Sequence, residues 1–295
     1  MNEAIIMGAY GFLGYSLCKH LLEKGIPIKA ITFEFEEEDL FAEEKQMEIG
    51  RNANFTASSM NNWPALGNAQ EGPATIIIPF YDFFLKGTEE NLLKETPKLL
   101  FNQTPAEEIF VAILLPEQLV YCEDSTLSPK YIQFSKDLQD SGIPYQEIFL
   151  PCLFGPWQPE ECLFQQILFP KKQDGSLPVI NKRESTTDAI YIDDAVLTVL
   201  DLIGRNRGKH LVRSGKSNQW KECIQWFSEN TVPSGCLKGR LDEAIVNLKD
   251  LPESPLIPGK RQLGEAETVY IDKLTHYIAG IEKQRHWYER WLETL

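Results

Sequence analysis

The residues best placed to do chemistry in this chain are Gly8-Ala9-Tyr10-Gly11-Phe12-Leu13-Gly14, with glycines three apart and three apart again. A first glycine permits a tight exit from a strand, a second lets backbone approach a pyrophosphate, and a third lets helix and strand pack closely. A helix starting behind such a turn offers free N–H groups and the positive end of its dipole to phosphate. Gly8, Tyr10, Gly11, Phe12, Leu13 and Gly14 are therefore the candidate cofactor-binding residues, although the same loop also reads as a purely structural turn. Other constellations carry less. Asp193-Asp194 offers paired carboxylates, for which a helix cap is the simpler use. Cys152 and Cys162 have no histidine near them in sequence and read as buried structural thiols. The four histidines and six cysteines show no HxH, HExxH or CxxC spacing, so no metal site is expected. Glu34 to Asp39 lacks the alternating ligands and central glycine of a calcium loop and reads as a solvated acidic stretch.

The elements that must position these residues follow from periodicity. Glu3 to Met7 fits a buried strand ending at Gly8. Phe12, Leu13, Leu17, Leu21 and Leu22 then recur at helical spacing until Gly25, and Ile26 to Phe33 is a second strand. Strand, glycine turn, helix and strand within about 30 residues make a βαβ unit with parallel strands. Further strands are expected at Ala74 to Phe80, Ile109 to Leu115, Tyr145 to Leu150, Ala189 to Ile192 and His210 to Arg213. Helices are expected at Glu89 to Asn102 despite Pro97, at Lys130 to Asp140, and from Ala195 to Ile203 with Asp193 as its cap. Regularity is lost between Pro156 and Thr187 and again after Gly215. Ile281 to Leu295 reads as an amphipathic helix whose Trp287 and Trp291, four apart on one face, serve as core anchors.

Bulk composition bounds the partners. The chain has 295 residues, 43% hydrophobic and 24% charged, which is ordinary for one large domain or two coupled ones. Its 43 acidic and 29 basic residues give a formal charge of −14, a surface that repels nucleic acid and anionic lipid. No apolar run approaches the roughly 20 residues that span a bilayer. The chain passes from Met1 straight into a strand-like segment, with none of the features of a signal peptide, so a cytoplasmic protein with reduced thiols is expected.

GAYGFLG followed by LxxxLLEKG resembles the opening of the extended short-chain dehydrogenase/reductases, the NAD-dependent epimerase/dehydratase group. Ile143-Pro144-Tyr145 to Leu150-Pro151 and Leu153-Phe154-Gly155-Pro156 are similar to that family's strand and turn before its substrate segment. Asp188-Ala189-Ile190-Tyr191-Ile192-Asp193-Asp194-Ala195 looks like its return to the sheet, Gly208 to Gly215 resembles the strand after it, and Ile281 to Tyr288 the closing helix. The resemblance implies an α/β fold: a Rossmann-type doubly wound parallel sheet with a smaller C-terminal substrate-binding region. Residues 1–155 and 186–214 would form the nucleotide-binding domain. Residues 156–185 and 215–295 would form a smaller substrate or lid region. It further implies a dinucleotide, a small-molecule ligand and pairing into a homodimer.

The family's acidic residue for the adenosine ribose falls at Thr32, with Glu34 two residues beyond, and no Arg or Lys follows before Lys45. NAD is thus expected over NADP. After the strand ending near Phe80 the family has small residues beside the adenine, where Pro79, Phe80 and Tyr81 are bulky. The family's active site resembles a Ser or Thr with a Tyr and Lys four apart on one helix, since such residues share a face. Here the corresponding strand ends Ile113-Leu114-Leu115-Pro116, without a hydroxyl. Tyr131 is the corresponding tyrosine and Lys136, one residue late, the corresponding lysine; they stand as the candidate catalytic pair. The literal YxxxK at Tyr15 to Lys19 lies in the wrong helix and reads as coincidence. Three functions follow: an atypical member without the Ser/Tyr/Lys set that binds a nucleotide, an active NAD-dependent oxidoreductase, epimerase or dehydratase with displaced residues, or a non-enzymatic regulatory or structural protein.

Overall fold

The computed structural model describes residues 1–33, 40–60, 74–102, 109–121, 129–169, 178–203, 205, 208–230 and 266–294. The chain opens with β1 (Ala4–Met7), α1 (Phe12–Glu23) and β2 (Ile28–Thr32), and β1 lies parallel to β2 with Met7 opposite Ile31. Then come α2 (Ala42–Ile49), β3 (Phe55–Ser59), β4 (Ala74–Ile78), α3 (Phe80–Lys86) and α4 (Glu89–Asn102). The middle of the chain supplies β5 (Ile109–Pro116), α5 (Gln118–Tyr121), α6 (Pro129–Asp140), β6 (Tyr145–Leu150) and β7 (Cys152–Phe154). The last part carries α7 (Leu163–Leu168), β8 (Ala189–Tyr191), α8 (Ile192–Leu202), β9 (Gly208–Arg213), α9 (Gln219–Asn230), β10 (Glu267–Tyr270) and α10 (Tyr277–Leu292).

Among the described residues the main sheet is eight-stranded, in the order β10-β9-β6-β5-β4-β1-β2-β3, and every pairing in it is parallel. The 3-2-1-4-5-6 run within that order is the doubly wound arrangement, and its strand order reverses between β1 and β4. Both faces are covered. Along β1, Ala4 and Ile6 enter one apolar cluster and Ile5 and Met7 the other, as a period of two requires. Continuous apolar strands such as IFVAILLP in β5 are the signature of a sheet buried on both sides. The glycine-loop βαβ unit and the alternation of elements are thus as expected, and α4 runs through Pro97.

Two features depart from expectation. Asp193 does not cap α8: the helix starts at Ile192 with Tyr191 as its cap residue, and Asp193 and Asp194 lie inside the first turn. Negative charge there still favours the helix dipole, so the acidic pair keeps an electrostatic role without the capping geometry. The second is β10, from the segment expected to form the smaller region. It pairs with β9, Glu267 opposite His210, and extends the main sheet. A separate two-stranded sheet of β7 and β8 flanks the 156–185 segment.

Candidate functional site

Ligands of doubly wound sheets bind outside the carboxyl ends of the strands, at the point where strand order reverses. That edge brings together Gly8 after β1, Thr32 at the end of β2, the start of α3 after β4, Glu117 after β5 and Arg213 at the end of β9. Gly8 has φ 89°, a left-handed conformation that favours glycine, and its N–H donates to the Ile31 carbonyl at 2.9 Å. A Cβ on Gly14 would stand 2.0 Å from the Gly8 carbonyl oxygen, so this glycine lets helix and turn close on each other. Tyr10, Phe12 and Leu13 are buried in the turn. The backbone is therefore that of a phosphate-binding loop.

The anion it holds is the protein's own. Gly11 starts α1 without any local side-chain cap, which leaves the first N–H groups of the helix needing partners. Asp82, in the first turn of α3, supplies them: its carboxylate accepts from the Leu13 N–H at 3.0 Å and the Gly14 N–H at 2.9 Å. A Cβ on Gly11 would meet Asp82 Oδ2 at 2.3 Å. The space above Gly11 is thus filled by a carboxylate. Asp82 is 4% exposed, and burial raises its pKa from 3.8 to about 6, against the opposing pull of the two N–H groups, Lys45 and Lys86. Lys45, fully buried on α2, donates from Nζ to the Tyr10 carbonyl at 3.1 Å and so completes a small charged nest around the turn. As arranged, these residues do not fit a pyrophosphate: the N–H groups are taken, and a second anion would lie against the first.

The same device recurs at α7. Glu184, distant in sequence, accepts from the Leu163 N–H at 3.0 Å and from the Cys152 thiol at 3.3 Å, and burial lifts its pKa to about 7. Burial and Glu184 together push the Cys152 thiol well up, which makes it a hydrogen-bond donor rather than a nucleophile.

At the β5 end the cleft is occupied by a buried polar network. Glu117 is 1% exposed and its N–H donates to the Leu150 carbonyl at 2.8 Å. Its carboxylate accepts from the Ser185 and Thr187 hydroxyls and pairs with Arg213 Nη1 at 2.5 Å. Burial still raises the Glu117 pKa, the Arg213 charge notwithstanding. Beside it Asp188 accepts from the Ser214 N–H at 2.8 Å and the Ser214 hydroxyl at 2.7 Å.

The candidate catalytic pair is not brought together. Tyr131 is buried, packs 5.2 Å from the Phe80 ring, and its hydroxyl donates to Glu147 Oε1 at 2.5 Å. Glu147 sits in the first half of β6 and pairs with Lys209 at 3.0 Å, away from the carboxyl edge. Lys136 is exposed, on the other side of α6. Five residues turn a helix by about 140° beyond a full turn, so the offset of one residue separates the faces. Thr32 ends β2 and its hydroxyl donates to the Ser58 carbonyl at 3.5 Å; Glu34 lies outside the described residues. Asp82, Lys45, Glu117 and Arg213 escaped the sequence reading. A signal existed for two of them: Asp82 is the one charged residue between Ile76 and Leu85, and Glu117 directly follows the apolar β5.

No family model matches the sequence, and no curated protein matches it. Solved structures do match, over nearly the full length. UDP-glucuronic acid 4-epimerase from Bacillus cereus, in complex with UDP-glucuronic acid and NAD, is 13% identical with a TM-score of 0.57, covering 98% of this chain and 99% of its own. An NAD-dependent NDP-hexosamine 5,6-dehydratase involved in tunicamycin biosynthesis is 15% identical with a TM-score of 0.59, covering 98% of both chains. dTDP-glucose 4,6-dehydratase from Bacillus anthracis, in complex with NAD, is 15% identical with a TM-score of 0.55, covering 98% of this chain and 97% of its own. The chain has the Rossmann-type fold of these epimerase and dehydratase structures. No helix among the described residues is long and apolar enough to cross a membrane.

Proposed function

We propose that this chain is a nucleotide-binding-fold protein of the epimerase/dehydratase kind without the Ser/Tyr/Lys hydride chemistry, and that NAD reaches its cleft only by displacing Asp82. The observation that carries this reading is the Asp82 carboxylate on the Leu13 and Gly14 N–H groups, with its oxygen over Gly11. A dinucleotide that displaced it would lay its pyrophosphate over Gly11 to Leu13 and its adenosine ribose toward Thr32. The β5 end supports the non-catalytic half of the proposal, because Glu117 and Arg213 pair there and the Ser185 and Thr187 hydroxyls are engaged with Glu117.

Calorimetric titration with NAD tests the reading. Hydrogen bonds to a charged group are worth about 1.5–3 kcal/mol, so freeing the loop in Asp82→Ala should tighten NAD binding by roughly tenfold or more. Wild-type affinity should rise as pH falls through about 6, where the Asp82 carboxylate becomes protonated, and this pH dependence should vanish in the variant. Tight wild-type binding at pH 8, equal to that of Asp82→Ala, would refute the displacement. NADH turnover assayed over a panel of nucleotide sugars should stay at background; robust turnover would refute the non-catalytic half.

A further inference from the structure

A cavity of about 730 Å³ lies away from the cleft, between α1, the start of α8 and α10. That is within the range of small-molecule sites, roughly 300–1,000 Å³. Its wall is aromatic. Trp157 and Trp287 meet with ring centres 4.1 Å apart, and Tyr15 lies 5.2 Å from Trp157. Trp157 holds φ 70°, a conformation costly for a bulky residue and retained only where its surroundings fix the side chain.

The polar groups divide into satisfied and unsatisfied. Lys19 pairs with Glu48 at 3.0 Å, and the other two carboxylates of the lining, Glu23 and Asp193, lie on the α1 and α8 side, Asp193 3.8 Å from the His20 ring. Lys283 and Arg290, on α10, have no carboxylate partner among the described residues, and Lys283 instead sits 4.9 Å over the Tyr191 ring. In a chain of net charge −14, two unmatched cations beside one cavity are unusual company. The Tyr15 hydroxyl is fully buried with no hydrogen-bond partner, Glu48 and Trp157 being its polar neighbours. Burial, then Glu48, raise its pKa, which keeps it a proton donor.

We propose that this cavity binds a small anion built on a flat ring. The ring stacks against Trp157 and Trp287, the anionic group pairs with Lys283 or Arg290, and the Tyr15 hydroxyl gains an acceptor. Indole faces supply stacking, and cations exposed at the rim supply charge. The same chemistry comes from a nucleoside monophosphate or from an aromatic carboxylate. The proposal does not rest on the reading of the dinucleotide cleft.

Calorimetry with UMP and, separately, with 4-hydroxybenzoate tests it. Saturable binding of either at a Kd below about 1 mM supports the site, and the arm that binds names the source of the anion. The double variant Lys283→Glu/Arg290→Glu, with both residues exposed, should keep its melting temperature and lose at least about tenfold in affinity. The proposal is overturned if neither probe saturates, or if charge reversal leaves binding intact, which would place the probe elsewhere on the protein.

Discussion

The two ends of the carboxyl edge meet the expectations of the fold in opposite ways. At the β1 end the backbone is all there, with Gly8 in a left-handed conformation, Gly14 allowing helix and turn to close, and the first N–H groups of α1 aimed outward onto an acceptor. The departure is a single side chain, Asp82, arriving from α3. At the β5 end the backbone path raises no question, and what fills the edge is a set of side chains, Glu117, Ser185, Thr187 and Arg213, bonded to one another. The difference has a physical reason. A carboxylate and a phosphate ask the same things of a glycine turn, close approach and unpaired N–H donors, so one backbone serves either. Proton transfer asks for particular side chains at hydrogen-bond reach, and no backbone can stand in for them.

If the β1 end is a scaffold of close backbone contacts, its largest weakness is Gly14. Alanine there would set a Cβ 2.0 Å from a backbone oxygen, with no flexible side chain to yield. We expect Gly14→Ala to lose more than about 4 kcal/mol or to fail to fold, as measured by denaturant unfolding. The β5 end should break next. Arg213→Ala leaves Glu117 buried and unpaired apart from two hydroxyls, which should cost about 3–5 kcal/mol. A cost under about 1 kcal/mol would mean that Glu117 is protonated and the network uncharged.

The charge on Asp82 gives a prediction with a defined sign. Its folded pKa of about 6 lies above the unfolded 3.8, so the folded state holds the proton more tightly. The contribution of this group to stability is therefore greatest at acid pH, falls as pH rises from about 4 to about 6, and is level above that. At about 1.4 kcal/mol per pKa unit the span is roughly 3 kcal/mol. Glu184, raised from 4.5 to about 7, acts in the same direction one unit higher. Subtracting the stability curve of Asp82→Asn from that of wild type should isolate the lower step. A difference that rises with pH across this window would sink the assignment.

Gly11 sharpens the comparison with its neighbour Gly14, because its obstacle is a side chain. Gly11→Ala should cost about 2 kcal/mol, and most of that cost should disappear in an Asp82→Ala background. A double-mutant cycle would show this as a coupling of about 1–2 kcal/mol. Simple additivity would mean that α3 retreats from the loop freely.

The legibility of each region in the sequence follows the same division. The βαβ opening was readable because glycine spacing, helical periodicity and apolar strands are local properties that one segment displays alone. β5 was readable because eight apolar residues in a row suit a strand covered on both faces. Asp82 was not, since its partners are 69 and 68 residues upstream and only the strand order brings α3 beside α1. The Glu117 network joins β5, β9 and the segment before β8, a convergence that periodicity cannot express. β10 was lost for another reason: Glu-Thr-Val-Tyr is short, mostly exposed and parallel, with few apolar residues to mark it. Tyr131 marks the boundary between the two kinds of information. Its place in α6 was legible, and the direction of its hydroxyl was not, because that depends on Glu147 in the neighbouring strand.

The last two effects, the smallest among them, belong to the helix that carries that tyrosine. The Tyr131 hydroxyl donates to Glu147, whose other oxygen faces Lys209, so Tyr131→Phe removes one hydrogen bond from a carboxylate that keeps its ion pair. The phenyl ring retains its packing against Phe80 and Phe134. Loss of a single buried hydrogen bond to a charged group costs about 1.5–3 kcal/mol. Lys136→Ala, on an exposed face, should cost less than about 0.5 kcal/mol. Neither change should alter the affinity for NAD, since neither side chain faces the glycine loop. If instead Tyr131 worked as a catalytic acid, the variant would fold as well as wild type while its turnover of NADH with a nucleotide sugar collapsed by a factor of about 10²–10⁴. Stability and turnover measured on the same preparation therefore separate the two roles: a modest fall in stability alone assigns Tyr131 to the core, and a collapse of turnover alone returns it to an active site.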